Sequence, residues 1–243
     1  MTTAPAADQR RLLDVQALDT RLAQLAHQRK AHPTLATLEE LTGRAEDLGR
    51  AKTATETLVS DIRRELRKAE SDVEQVENRA ARDRQRLESG AGSAKDMQAL
   101  SHELETLTKR QSDLEEVELE VMERLEAAER DAAAIVEQLE ALQADTARVE
   151  SERDAAFAEL DAEIAEVTKK RAVAADGIDT GLMALYERVR SQTGGLAAVA
   201  LEGVATVGVQ LSLSLTEKAA ITNAREDEVI RSEDYGYILV RTS

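Results

Sequence analysis

Side chains able to do chemistry are few in this chain. The 243 residues include no cysteine, and His27, His32 and His102 are the only imidazoles. Without thiols, disulfides, thiolate nucleophiles and Cys-ligated zinc or iron–sulfur clusters are excluded. His27 and His32 stand five positions apart, which does not put them on one face of a continuous helix, and His102 is far along the chain. No histidine metal site is expected. The stretch Gly90-Ala91-Gly92-Ser93-Ala94-Lys95 superficially suggests a phosphate loop. It lacks the Gly-Lys-Ser/Thr of a Walker motif and no strand precedes it, so it reads as a turn. Acidic pairs such as Glu115-Glu116 recur without a pocket to shift their pKa values, and read as solvated faces. The expectation is a non-enzyme with no cofactor and no metal.

Charge is more informative than catalysis. The chain carries 48 acidic and 32 basic residues, a net charge of −16, which disfavours general affinity for nucleic acid or an anionic membrane. Between Ser112 and Glu166 there are 19 acidic and 4 basic residues. Between Asp61 and Arg86 there are 8 basic and 7 acidic residues, so Arg63, Arg64, Arg67, Lys68, Arg79, Arg82, Arg84 and Arg86 can partly balance that acidic segment across a coil. Around the Gly90/Gly92 turn the sign reverses: Arg82, Arg84, Arg86, Lys95, Lys109 and Arg110 make a locally basic end. Such an end suits an acidic protein or RNA, although no aromatic residue supplies a stacking platform for single strands. Gly90, Gly92, Lys95, Arg82, Arg84 and Arg86 are therefore the candidate interaction residues.

The elements that must position them are helical. Ala, Glu, Leu, Lys and Arg make up 133 of the 243 residues, the mix of long helices and coiled coils, and aromatics number only four. Proline occurs at Pro5 and Pro33 alone, and no Gly or Pro interrupts Ser93 to Asp176. Before the turn, Thr55, Leu58, Ile62, Leu66, Ala69, Val73, Val76 and Ala80 follow steps of three and four. After it, Met97, Leu100, Leu104, Leu107, Gln111, Leu114, Glu118, Val121, Leu125, Ala128, Ala132, Ile135, Leu139, Leu142, Thr146 and Val149 keep that spacing. Two arms of equal length, Ala7 to Glu88 with a break near His32-Pro33 and Ala94 to Ala175, predict an antiparallel coiled-coil hairpin over 1–176 with its turn at 89–93. Gly43 and Gly49 leave open the alternative of shorter helices docked as a bundle.

Beyond Gly177 the pattern changes. Asp179-Thr180 can cap a short helix to about Arg190, and Ser191 to Gly195 reads as a flexible joint, giving a helix-and-linker segment over 177–195. Over 196–243, Val207, Val209, Leu211, Leu213 and Leu215 alternate with small or polar residues and predict a strand. Thr216 to Ile221 allows a helical turn or two, and Glu228 to Arg231 with Tyr237 to Arg241 reads as a β-hairpin. A β-rich domain this small ordinarily needs a staple such as a metal.

The stretch Ser89 to Leu107, the helix after it, and the ending Glu228-Val229-Ile230-Arg231-Ser232-Glu233-Asp234-Tyr235-Gly236-Tyr237-Ile238-Leu239-Val240-Arg241 together resemble a bacterial family of coiled-coil hairpin proteins with a C-terminal C4-type zinc ribbon. Members of that family typically end in D-E-V-V-R-C-x-x-C-G-x-I-L-V-R. At the last cysteine pair this chain has Ser232 and Tyr235; the region of the first pair aligns with Thr206, Gly208, Val209 and Gln210. The resemblance thus implies a mainly α fold, a long antiparallel coiled-coil helical hairpin with a degenerate zinc ribbon, whose lost-ligand positions are Thr206, Val209, Ser232 and Tyr235. A small core of Val207, Val209, Leu211, Ile221, Ile238 and Val240, with Val209 and Tyr235 in place of the ion, is expected to hold the tail.

The functional expectation is a cytoplasmic scaffold or adaptor, monomer or homodimer, binding protein partners through tip and tail. The resemblance also implies an alternative, a nucleic-acid-binding or transcription-associated role through the transcription machinery. The opening residues lack a signal-peptide pattern, and the longest apolar run, Leu196 to Leu201, is too short to span a membrane, so no membrane association is expected.

Overall fold

The computed structural model describes residues 2–90 and 92–242. Met1, Ser243 and Ala91, the middle residue of the predicted turn, lie outside the described residues. The first helices are α1 (Ala6–Lys30) and α2 (Pro33–Glu88). The break between them follows from Pro33, which disfavours helical backbone at His32 and is itself well suited to a first helical position. His32 Nδ1 lies 2.7 Å from Thr34 Oγ1 and 3.4 Å from the Thr34 amide, capping the restart. Gly43 and Gly49 do not interrupt α2, which settles the alternative of shorter docked helices against it. The return arm α3 (Ala94–Ala175) and the short α4 (Thr180–Thr193) complete the helical part. As expected, the Asp179 carboxylate accepts from the Leu182 amide at the start of α4.

By contacts the chain forms two compact units, Thr37–Val149 and the combination of Met1–Ala36 with Glu150–Ser243. These do not follow the sequence divisions at 176 and 195, because the β-rich tail shares its core with α1 and α4.

In the unit Thr37–Val149, α2 and α3 run antiparallel. Val59 and Ile62 pack with Val121 and Ala128, flanked by Leu66, Leu125 and Ala132, all at the predicted three–four spacing. Ion pairs cross the seam with opposite running numbers, Arg63 to Glu129 at 2.6 Å and Arg124 to Glu65 at 3.0 Å. These pairs are half exposed, so they help to set register more than stability. The seam continues through buried Ala69, Val73 and Ala80 to a buried aspartate, Asp83.

In the other unit α1 lies against residues 150–175 of α3, with Arg29 on Asp161 and Arg21 on Glu163. The wall facing the α1–α2 break is Ala156, Phe157 and Leu160, farther along α3 than the Glu150 level that equal arms imply. Here also are the strands β1 (Ala198–Glu202), β2 (Ala205–Val207), β3 (Ile230–Arg231) and β4 (Ile238–Arg241), and the helix α5 (Leu215–Asn223). The sheet order is β2-β1-β4-β3, with β1 and β4 parallel and the outer pairs antiparallel. Strand alternation sends Ala198, Ile238 and Val240 into a cluster with Leu12, Val15, Leu182, Tyr186 and Val189. Val199, Leu201 and Leu239 go to the opposite face, against Ile221 of α5. Burial on both faces, rather than a lone small core, holds this sheet.

The predicted β3–β4 hairpin and the helix near Thr216 are present, but the predicted strand from Val207 to Leu215 is not. Only Ala205–Val207 joins the ladder. Gly208 then turns to φ 78°, and Val209, Leu211 and Leu213 pack on the Ile221 cluster from irregular chain. Leu215 is the first residue of α5 and 86% exposed, and Val207 is also exposed, so neither joins the core. Ile238 and Val240 lie on the α1/α4 face of the sheet, apart from Val209, Leu211 and Ile221. The six-residue apolar run from Leu196 supplies β1 instead.

The predicted flexible joint is tied down. Gly194 caps α4 in left-handed conformation at φ 75°, and the buried Gln16 of α1 reaches across to the segment that follows. Its Nε2 donates to the Gly195 carbonyl at 3.0 Å, while its Oε1 accepts from the amides of Ala197 at 2.6 Å and Ala198 at 3.1 Å. One turn on, buried Asp19 accepts from Tyr186 Oη at 2.8 Å and from Arg171 Nε at 2.9 Å; Arg171 also donates to Glu187. Hydrogen bonding to Asp19 pushes the Arg171 pKa up, keeping it charged. Burial, and then Asp19, push the Tyr186 pKa far above the ordinary phenol value. A buried charge this well paired avoids the penalty that an unpaired ion carries in an apolar interior.

Candidate functional site

At the hairpin tip, Gly90 has φ 61° and Gly92 φ 145°, values that favour glycine. A Cβ on Gly92 would come within 3.3 Å of Asp96 Cβ. Asp96 closes the start of α3: its Oδ2 accepts from the Ser93 amide at 2.9 Å and from Ser93 Oγ at 2.7 Å, and these bonds hold its carboxyl below the usual range. The turn is thus a capped corner. Arg82, Arg84, Arg86 and Lys95 are all exposed around it, but they do not form one patch. Two positions along a helix is about 200° of rotation, so Arg84 points away from Arg82 and Arg86.

The structure joins Arg82 instead to residues the candidate set did not contain. A groove of about 620 Å³ runs between α2 and α3, lined on the α2 side by Asp72, Gln75, Val76, Asn78, Arg79 and Arg82 and on the α3 side by Leu107, Arg110 and Leu114. The signal for it was present in the sequence as a helical stripe, Asp72, Gln75, Arg79, Arg82 and Arg86 at steps of three and four.

Of the four tail positions, Thr206 lies on β2 and Ser232 directly follows β3, and these strands are the opposite edges. Each position is engaged locally. Thr206 Oγ1 accepts from the Leu211 amide at 3.2 Å, and buried Ser232 accepts at Oγ from the Tyr235 amide at 3.1 Å. Val209 packs on the Ile221 cluster. Tyr235 is 44% exposed and stacks on Tyr237 with centroids 5.8 Å apart, so it does not fill an interior space. Two hydroxyls occupied as turn acceptors, a valine and a surface tyrosine do not fit zinc, which needs thiolate or imidazole donors. Nearby, Glu217 completes a capping box with Ser214 and also accepts from the Glu233 amide at 2.9 Å, so one carboxylate pins α5 to the β3–β4 turn. The Glu233 bond and then the Ser214 amide bond lower its pKa.

A second concavity was not foreseen. At the α1–α2 break a cleft of about 540 Å³ is lined by His27, Gln28, Ala31, His32 and Pro33 and, from α3, by Ala156, Glu159, Leu160 and Glu163. Both histidines reach it because the helix is interrupted between them, which five positions of unbroken helix would not allow. Phe157 stands beside it, edge-on to His32 at 5.9 Å and under the Arg29 guanidinium at 4.5 Å. The chain's only phenylalanine opposite a mid-chain proline was the available clue. Among the described residues no group of three or more His, Cys, Asp or Glu is arranged to hold a metal.

Paired antiparallel helices around a capped corner, with a small mixed sheet following them, define a coiled-coil hairpin protein with a β-rich C-terminal module. The chain belongs to the CT398-like coiled coil hairpin family, whose domain matches residues 15–194. It is 34% identical over 238 residues to the uncharacterized protein Rv2229c of Mycobacterium tuberculosis, covering 98% of this chain and 97% of that one. It is similar to a solved structure from Mycobacterium smegmatis at 33% identity and a TM-score of 0.86, over 99% of this chain and 100% of that one. CT398 from Chlamydia trachomatis shares the fold at 16% identity and a TM-score of 0.72, over 97% and 98% of the two chains.

Proposed function

We propose that the protein is a non-enzymatic coiled-coil adaptor that engages protein partners through the hairpin tip around Gly90 and Gly92 and through its metal-free, β-rich tail. The observation that carries this reading is the state of the tip cations. Arg82, Arg84, Arg86, Lys95, Lys109 and Arg110 are exposed, and among the described residues none has a carboxylate within 4.0 Å, whereas Arg63 and Arg124 on the same helices are paired. The helix backbone beneath these charges is already fixed, so binding has only side chains to order, which favours a recognition role. A cytoplasmic setting goes with this reading, and no described helix is long and apolar enough to cross a membrane.

The test is crosslinking and mass spectrometry in cell extract, comparing the full chain with a Gly90→Ala/Gly92→Ala variant. Crosslinks to partner proteins at 82–96 that disappear in the variant support the adaptor; a crosslink map without tip partners removes it. The basic tip also admits the nucleic-acid reading, which takes over if RNA or DNA binds strongly at moderate salt, weakens as salt rises, and is lost with Arg82, Arg84 and Arg86.

A further inference from the structure

We propose that the groove between α2 and α3 below the tip is the docking surface for an acidic helical segment of a partner protein. The proposal rests on the adaptor reading and names the chemistry of the partner. Arg82 and Arg110 stand on its two walls, over Val76, Leu107 and Leu114. The third arginine, Arg79, is already held by Glu103. Arg82 and Arg110 have no carboxylate within 4.0 Å among the described residues, so both forks of donors are free for a ligand. A guanidinium matches a carboxylate with two parallel hydrogen bonds. Two of them facing each other across a channel between antiparallel helices suit a third helix bearing Glu or Asp at steps of three and four.

The charge of the surroundings selects the same class. Residues 78 to 111 carry seven basic and five acidic side chains, in a chain whose net charge is −16. The tip half therefore attracts a local acidic segment, while the rest of the molecule repels an extended polyanion. Asp72 lines the same groove ten positions before Arg82, roughly 15 Å away along the helix. A phosphate backbone would run its charges past that carboxylate, whereas a peptide can place a neutral or basic residue there. The lining also contains no aromatic side chain on which a base could stack.

The experiment titrates a fluorescein-labelled, 15-residue Glu/Leu helical peptide into the full chain and follows anisotropy, with a Lys/Leu peptide and a single-stranded oligo-uridine as comparators. Arg82→Ala and Arg110→Ala are each expected to weaken the Glu/Leu peptide about tenfold, and Arg82→Glu/Arg110→Glu to abolish binding. Arg84→Ala, on the far side of α2, is expected to change it less than about twofold. All three positions are exposed, and unchanged helical circular dichroism verifies the fold of each variant. Equal losses at Arg84 and Arg82, no binding of the acidic peptide, or tighter oligo-uridine binding that depends on Arg82 and Arg110 would each overturn the proposal. Proteins that still crosslink at the tip of the Arg82→Glu/Arg110→Glu variant refute the groove while leaving the adaptor standing. Loss of those crosslinks in step with the peptide supports both.

Discussion

Replacing Asp83 by leucine is expected to stabilise the hairpin. Asp83 continues the spacing Val73, Val76, Ala80 into the seam and is only 8% exposed. Its Oδ2 has no hydrogen-bond partner among the described residues, and Arg79 Nε, 3.9 Å away, belongs to a guanidinium already engaged by Glu103. A buried acceptor left without a partner costs about 1–3 kcal/mol. Leucine has the same branching at the γ position, removes that orphan oxygen and adds apolar contact worth about 1 kcal/mol. The expected gain is therefore about 2–4 kcal/mol, tempered toward the lower end by local repacking. Asp83→Asn, which removes the charge but keeps a polar group in the seam, should gain about half as much. Hydrogen exchange on the full chain reads the effect where it occurs: amides of residues 76–107 should slow by about tenfold or more with Asp83→Leu, while those of 196–242 stay unchanged. Neutral or faster exchange in Asp83→Leu, with helical content intact, would refute the reasoning by showing that the carboxylate is satisfied in solution. A polar residue in a coil can also fix register, so loss of the Arg79–Glu103 proximity in the leucine variant would reveal a specificity role.

Three further outcomes follow from other sites. The Tyr186 proton is held more tightly in the folded protein, so its contribution is complete below the ordinary phenol pKa of 10.0 and is lost as pH rises above it; urea midpoints from pH 7 to 11 should fall on the alkaline side, and fall less in Tyr186→Phe, which at neutral pH costs about 1–2 kcal/mol for its bond to Asp19. Gly92→Ala should destabilise by about 1–2 kcal/mol through its positive φ and the Asp96 contact, whereas Gly43→Ala, with open space around it in mid-helix, should stabilise by about 0.5–1 kcal/mol; equal effects in chemical denaturation would contradict the tip geometry. Chelator or added zinc should leave hydrogen exchange over 196–242 unchanged, and protection that depends on zinc would restore a metal to the tail.

Much of the helical part was legible because its determinants are local. Gly and Pro positions marked the turn and the Pro33 break, three–four spacing marked the seam, and Asp179 marked a helix start. The sheet was harder. Val207 to Leu215 has the alternation of a strand, yet the ladder takes only its beginning, since Gly208 turns the chain and no partner strand is offered beyond it. Conversely, Leu196 to Leu201 shows no alternation because both faces of β1 are buried. Gln16 and Asp19 look like solvated helix residues, and only long-range packing makes them the clamp on the sheet. The same holds for the groove: Arg82 was visible as a cation, but its pairing with Arg110 depends on the register of two helices.

The unit containing the sheet draws its pieces from both ends of the chain. Gln9 donates to the carbonyl of Glu226, 217 positions away, and Ala4 donates to Asp227. During synthesis α1 emerges well before its partners in α4, β1 and β4, so Leu12 and Val15 wait uncovered while the hairpin between them is completed. The ribosome therefore finishes the coil before the clasp. The clasp is a joint closure, because Leu12 and Val15 are sealed only when α4, β1 and β4 have all been laid against α1.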